Sequence, residues 1–157
     1  MLFWPRIPLF SPCPTYVASG GIDTLEKAIK AFIATKPAIS NGFTGGIYAG
    51  RRPPGKTAPY LIIEIVANPA VLFTNTSFVQ ATHLVFTSYG SSRSAAKTLG
   101  NLVQSTFKGQ GFQYTGATIA PLTIQNRTAY EAPEMAVGGG PVFCDRITFV
   151  GREQKPR

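Results

Sequence analysis

Charge is scarce in this sequence: 14% of its 157 residues are Asp, Glu, Lys or Arg, against roughly 25% in an average globular domain. So little charge suits a chain that hides part of its surface against partner chains, and an oligomer is expected. Acid is scarcer than base, with seven acidic residues against fifteen basic ones and a net charge of +8. Cysteine is limited to Cys13 and Cys144. Two isolated thiols build neither a disulfide framework nor a metal knuckle, and they fit a reducing compartment. His83 is the sole histidine. It lies inside a predicted strand with no Cys or acid close by in sequence, which reads as a packed or surface-facing side chain and not as a ligand or base. No metal or cofactor is expected. No apolar run reaches the ~18 residues of a membrane-spanning helix, so no membrane partner is expected, and no segment repeats.

What is there is an ordinary globular content, 44% hydrophobic, in a length that makes one domain with a real core. The reading divides it into an arm over residues 1–20, a single domain over 21–150 and a polar tail over 151–157 that is expected to fray. Met1 to Tyr16 is rich in proline and aromatics, including Phe3, Trp4 and Phe10. Its four prolines preclude the apolar helix of a signal peptide. Two readings stand side by side: an extended arm whose aromatics dock on a neighbouring subunit, or translated leader ahead of a start at Val17.

The excess of base does not gather into one face. Arg51, Arg52 and Lys56 share a turn, Arg152, Lys155 and Arg157 share the tail, and Lys27, Lys30, Lys36, Arg93, Lys97 and Lys108 spread over two predicted helices and their ends. No Cys/His finger, RNP aromatic motif or basic region leading into heptads accompanies them. Scattered solvated charge fits better than a duplex-binding surface.

Gly50-Arg51-Arg52-Pro53-Pro54-Gly55-Lys56-Thr57 matches the phosphate-loop template G-x-x-x-x-G-K-[ST] at every position. Chemistry argues against that function. A phosphate loop converges backbone N–H groups and a helix N-terminus on the anion, whereas Pro53 and Pro54 each lack an N–H. The run that follows, Tyr60-Leu61-Ile62-Ile63-Glu64-Ile65-Val66, is β-branched and reads as a strand. No Asp or Glu falls between Glu64 and Glu131 to hold a metal ion. The octet reads as a basic Pro/Gly turn between two strands, and no enzymatic activity is expected.

Leu25, Ala28, Ile29, Phe32 and Ile33 fall at i, i+3, i+4, i+7 and i+8, one face of a helix. Asp23 and Glu26 are placed to form its capping box, and Pro37 ends it. Burying its large apolar side chains yields roughly 6–12 kcal/mol before entropy. Strands are predicted at Gly45 to Ala49, Tyr60 to Ala67 (broken by Asn68-Pro69) and Phe78 to Thr87. The second has two apolar faces and is expected to be central. Ser91 or Ser92 caps a second helix with Ala95, Ala96, Leu99, Leu102, Val103 and Thr106 on one side and Gly109 as its stop. Gly100 inside it costs up to about 1 kcal/mol relative to Ala, which suits close approach to a sheet. Thr118 to Ile124 and Val142 to Val150 are two more strands, joined by a loop through Ala132-Pro133 and Gly138-Gly139-Gly140-Pro141. The sum is an α+β fold: a mixed or antiparallel sheet of about five strands with two helices packed on it, in the order α-β-β-β-α-β-β. Its second face is apolar enough to need a cover.

The helix Leu25–Ile33, Gly46-Ile47-Tyr48, the Pro/Gly turn, the strand Ala58-Pro59-Tyr60-Leu61-Ile62-Ile63, the strand ending Phe86-Thr87-Ser88-Tyr89 and the Ser-capped helix through Phe107 together resemble the tail-completion or tail-terminator proteins of long-tailed bacteriophages. The resemblance covers Asp23 to Phe107 well and Phe112 to Val150 loosely. It implies a non-enzymatic virion protein at the tail–neck junction, assembled in the host cytoplasm. Such a protein caps the tail tube as a homo-oligomeric ring (a hexamer by the resemblance), ends tube growth and joins tail to head. The implied partners are the tail tube protein and the head–tail connector or stopper, with DNA only passing through the lumen. Head-to-tail ring closure needs two different, complementary patches on one subunit. The candidates are the turn with Arg51, Arg52 and Lys56, the loop with Glu131 and Glu134, and the arm with Trp4 and Phe10; each also reads as an ordinary exposed loop. The alternatives are another neck component, such as a stopper or head-completion protein, and a basic nucleic-acid-binding accessory domain.

Overall fold

Side chains that alternate between two faces set the centre of the sheet, and the long strands follow from them. The computed structural model describes residues 15–51, 57–73, 77–131 and 142–156, with the side chains of 67–73, 77–78 and 156 outside that description. The elements are β1 (Thr15–Val17), α1 (Leu25–Ala34), α2 (Pro37–Gly42), β2 (Ile47–Ala49), β3 (Tyr60–Phe73), β4 (Ser77–Gly90), α3 (Arg93–Phe107), β5 (Gly111–Tyr114), β6 (Ala117–Ile119), β7 (Thr123–Glu131) and β8 (Phe143–Pro156). The strands join one sheet in the order β1-β5-β6-β8-β4-β3-β2, and β7 pairs with β8 beside β6. The pairings β1–β5 and β2–β3 are parallel and the rest antiparallel. Cross-strand register puts Ala49, Ile63, Phe86, Ile147 and Arg127 in one row.

The α+β class is as expected, but the described residues hold eight strands and three helices where five and two were predicted. β1, β5 and β6 have three or four residues each, too few to show an alternating pattern. The predicted strand Thr118 to Ile124 is two strands split at Ala120-Pro121, and the second runs on to Glu131. Its residues are mostly exposed on both faces, so no buried stripe marked it. Pro37 does not simply end a helix: it occupies the first turn of the short α2, where its missing N–H costs nothing. Asn68-Pro69 does not end β3 either. The strand continues to Phe73, and the ladder to β4 shifts register between Ala67 and Val71, a bulge that absorbs the missing donor.

The α1 cap is one residue later than predicted. Thr24 Oγ1 accepts from Lys27 N at 3.3 Å, while Asp23 pairs with the Lys27 ammonium at 2.9 Å. With Thr24 as the cap, the third helical position holds Lys27, so no capping box forms. The predicted face of α1 is buried throughout. On α3, Ser92 Oγ accepts from Ala95 N at 3.0 Å, and Gly109, at φ +76°, follows as the left-handed stop. The buried stripe of α3 is Ala96, Gly100, Val103 and Phe107. Phe32 of α1 meets Phe107 at 5.4 Å and Phe112 at 5.3 Å, and Phe107 meets Phe86 of β4 at 4.4 Å between ring centroids. These contacts add about 0.5–1.5 kcal/mol each to simple burial and hold both helices on one face of the sheet.

At Gly100 α3 comes close to Asp145 of β8. A Cβ there would stand 2.5 Å from Asp145 Oδ2 and 3.0 Å from Arg127 Nη2. Asp145 is buried on β8. Arg127 of β7 grips its carboxylate, with Nη2 donating to Oδ2 at 2.6 Å and Nε to Oδ1 at 3.0 Å. Arg127 Nη1 donates to Gln104 Oε1 at 2.7 Å on α3. The pair therefore fastens β7, β8 and α3 together.

The end of the chain does not fray as predicted. Gly151 to Pro156 continue β8 against β4, with Ser77 opposite Pro156. Glu153 is buried there and accepts from Tyr114 Oη (2.6 Å), Gln80 Nε2 (2.8 Å) and Thr82 Oγ1 (3.0 Å) and pairs with Lys155 Nζ (3.2 Å). Burial pushes its carboxyl up, but these hydrogen bonds together outweigh that and leave it below its ordinary value.

Three outcomes follow from this packing. Helix propensity alone makes Gly100→Ala stabilising by about 1 kcal/mol; overpacking at Asp145 costs about 1–3 kcal/mol, so urea unfolding should show a net loss or no gain. Arg127→Ala leaves a buried, unpaired carboxylate and should cost about 3–5 kcal/mol, while the double change Arg127→Met with Asp145→Leu should recover most of it. Glu153 is ionised more readily folded than unfolded, so its contribution is full above its ordinary pKa of 4.5 and lost as pH falls through its lower folded value. The melting temperature of Glu153→Gln should accordingly depend less on pH across the acid range than that of the parent.

Candidate functional site

Two features of the fold leave surface to offer: apolar residues at the sheet margins, and a groove between α3 and β7. Large apolar side chains stand exposed at Val17 in β1 (64%), at Ile65 (37%) and Val66 (52%) in β3 beyond the end of β2, and at Tyr130 in β7 (41%). β1 and β3 lie toward opposite margins of the sheet. The face away from the helices is less open than its sequence implies. Tyr60, Tyr89, Cys144 and Tyr130 form one cross-strand row there, and Tyr60 stacks on Tyr89 at 4.5 Å. The chain's own Val142, Tyr48 and Ala58 pack on this cluster. Burial, with the neighbouring Cys144, pushes the Tyr130 hydroxyl up, so it stays protonated near neutral pH.

The groove lies on the helix side of β7. Arg93 and Lys97, four residues apart on α3, share one side of the helix. With Ala96 of α3, Arg127, Ala129 and Tyr130 of β7 and Phe143, Cys144 and Asp145 of β8 they line a cavity of about 520 Å3. The Arg93 guanidinium sits 5.8 Å from the Phe143 ring centre, a cation–π contact that fixes it at the rim. Neither Arg93 nor Lys97 forms an ion pair among the described residues. The acid in the wall, Asp145, is already held by Arg127. The arrangement presents uncompensated positive charge over a small apolar floor, which suits an anionic group.

The residues singled out in the sequence are not brought together. Arg51 is exposed just past β2, its N–H donating to Ala49 O at 3.0 Å. Glu131 is exposed at the end of β7, opposite Phe143. They stand toward opposite margins of the sheet. Arg52, Lys56, Glu134, Trp4 and Phe10 lie outside the described residues, as does Cys13. The phosphate-loop octet is flanked by β2 and β3, as expected, and leads into a strand, not a helix; the two strands pair in parallel. Among the described residues no cluster of His, Cys, Asp and Glu could hold a metal ion, and no helix is long and apolar enough to cross a membrane. Sequence reading missed Arg93, Lys97, Arg127 and Asp145 as a group. The available signal was Asp145 in the same alternating stripe as Phe143, Ile147 and Phe149, an acid that must find a partner when buried.

No family model matches this sequence. Among curated proteins no sequence match is found. Similarity emerges at the level of structure: the fold matches a chain of a solved structure titled "Virion of native gene transfer agent (GTA) particle", with a TM-score of 0.60 and 12% identity, over 82% of this chain and 94% of that one. At that identity the likeness establishes a common fold.

Proposed function

We propose that this protein is a structural component of a phage-type virion, and specifically a tail terminator: a homo-oligomeric ring that caps the tail tube, ends its growth and joins it to the head. The observation that carries the reading is the fold match, which spans nearly the whole of a chain from a gene transfer agent virion. The sequence resemblance, drawn from different features, points the same way. The distribution of exposed apolar residues supports a ring. A ring closes by head-to-tail contacts between two unlike surfaces on each subunit, and the exposed apolar residues Val17 in β1 and Val66 in β3 are set apart across the sheet. A protein with little surface charge and apolar margins gains by burying them. We read the chain as non-enzymatic, with the tail tube protein and a connector or stopper as partners and with DNA passing through the lumen.

Purified protein, alone or mixed with tail tubes, should form closed rings visible by negative-stain microscopy and native mass spectrometry. Val66→Asp and Val17→Asp change exposed positions and should alter stability by no more than about 0.5 kcal/mol while abolishing rings. Loss of the gene should leave overlong or unjoined tails beside full heads, and normal particles from such a mutant would refute the reading. Labelled protein should sit at the tube end; label on the connector side alone would favour a stopper or head-completion role.

A further inference from the structure

β7 is an edge strand with a helix beside it, a combination that invites another strand. It pairs with β8 along one side, and no further backbone hydrogen bond among the described residues reaches its other side. Thr123–Glu131 contains no Pro and no Lys; its register shift falls between Ile124 and Asn126 and leaves Asn126–Glu131 in regular pairing with β8, and its one basic side chain, Arg127, is turned inward onto Asp145. The cationic groove runs directly alongside, between this edge and α3. We infer that the β7 edge and the α3 groove together bind an acidic, extended segment of a different protein, which adds as a strand to β7 and sets alternate carboxylates against Arg93 and Lys97.

The spacing agrees with that mode. Alternate residues of a strand are about 6.6 Å apart, and four residues of helix rise about 6 Å, so successive inward-facing carboxylates match Arg93 and then Lys97. Main-chain bonds to β7 would hold the segment, and the groove would select its side chains. The small floor of Ala96 and Ala129 leaves room for those side chains, and Phe143 keeps Arg93 extended over it.

The charge pattern decides against a second copy as the occupant. No two acids in the whole sequence are two residues apart, so no strand of this chain offers consecutive carboxylates on one face. Asp23 and Glu26 are already paired with Lys27 and Lys30 on α1, and Asp145 and Glu153 are buried. The open edge of β3 beyond β2 makes a poorer receptor, because the one charged residue in Tyr60–Phe73 is Glu64. This inference does not rest on the ring reading: it uses β7 and α3 and leaves the patches at Val17 and Val66 alone.

The test is a titration of the full-length protein with a labelled peptide of about eight residues, alternating Glu with Thr or Val. It is followed by fluorescence anisotropy and by amide hydrogen exchange. Binding should weaken with added salt, and exchange should slow in Asn126–Tyr130. The exposed pair Arg93→Glu with Lys97→Glu should lower affinity at least about tenfold. Ala129→Glu, which adds a carboxylate to the groove wall from a different element, should do likewise if the first variant unfolds. The inference is overturned if the peptide fails to bind, if a Lys-for-Glu peptide binds equally, if protection appears elsewhere, or if the folded variants bind unchanged. It is also overturned if duplex DNA displaces the peptide and itself depends on Arg93 and Lys97. Protection of β7 that rises with protein concentration alone would assign the edge to a second copy.

Discussion

The placement of α3 on the sheet turns on a carboxylate with nowhere else to go. Asp145 is buried on β8 at the point where Gly100 removes the side chain that would collide with it. An ionised carboxylate in that position is tolerated only with a partner of opposite charge and good geometry, and the two-pronged grip of Arg127 supplies one. That requirement brings Arg127 of β7 in to the helix and ties it to Gln104. The groove lies where β7 and α3 meet at Arg127, which holds both Asp145 and Gln104. The aromatic contacts of Phe32, Phe86, Phe107 and Phe112 supply more apolar burial at the C-terminal end of the same helix.

Much of the central architecture was legible from periodicity. The apolar stripe of α1, the cap and stop of α3, the first half of β3 and most of β4 are written in local pattern, and the structure places them close to where the pattern does, with β3 running on from Ala67 to Phe73. What escaped was short, polar or dependent on distant partners. Three- and four-residue strands exist because a neighbour completes their ladders, and no local signal precedes that. β7 shows no alternating burial because it is an edge with both faces partly wet. The chain end looked like a frayed tail because Glu153, Lys155 and their neighbours are polar. Its order comes from Gln80, Thr82 and Tyr114, which are distant in sequence. The groove was illegible for the same reason: Arg93 and Lys97 read as scattered solvated charge until β7 is laid beside them.

The scarcity of charge takes on more meaning once the charges are placed. Several of the acids that the chain possesses are spent internally, on Arg127, on the Tyr114 network or on lysines of α1. The cations of α3 are left without such a complement among the described residues. Surface that is poor in charge and apolar at its margins favours contact with protein, and the remaining imbalance favours partners of the opposite sign. The two tendencies occupy different parts of the molecule, so association with like subunits and with a dissimilar partner need not compete.

The way β6 and β7 share β8 has a mechanical consequence. Both attach along the same side of that strand, one after the other: β6 at Glu153 and Gln154, β7 from Phe143 to Val150. The short passage Ala120–Leu122 connects them. Force applied to β7 therefore enters β8 and, through Arg127, α3 first, and reaches β1, β5 and β6 by way of those elements and that passage.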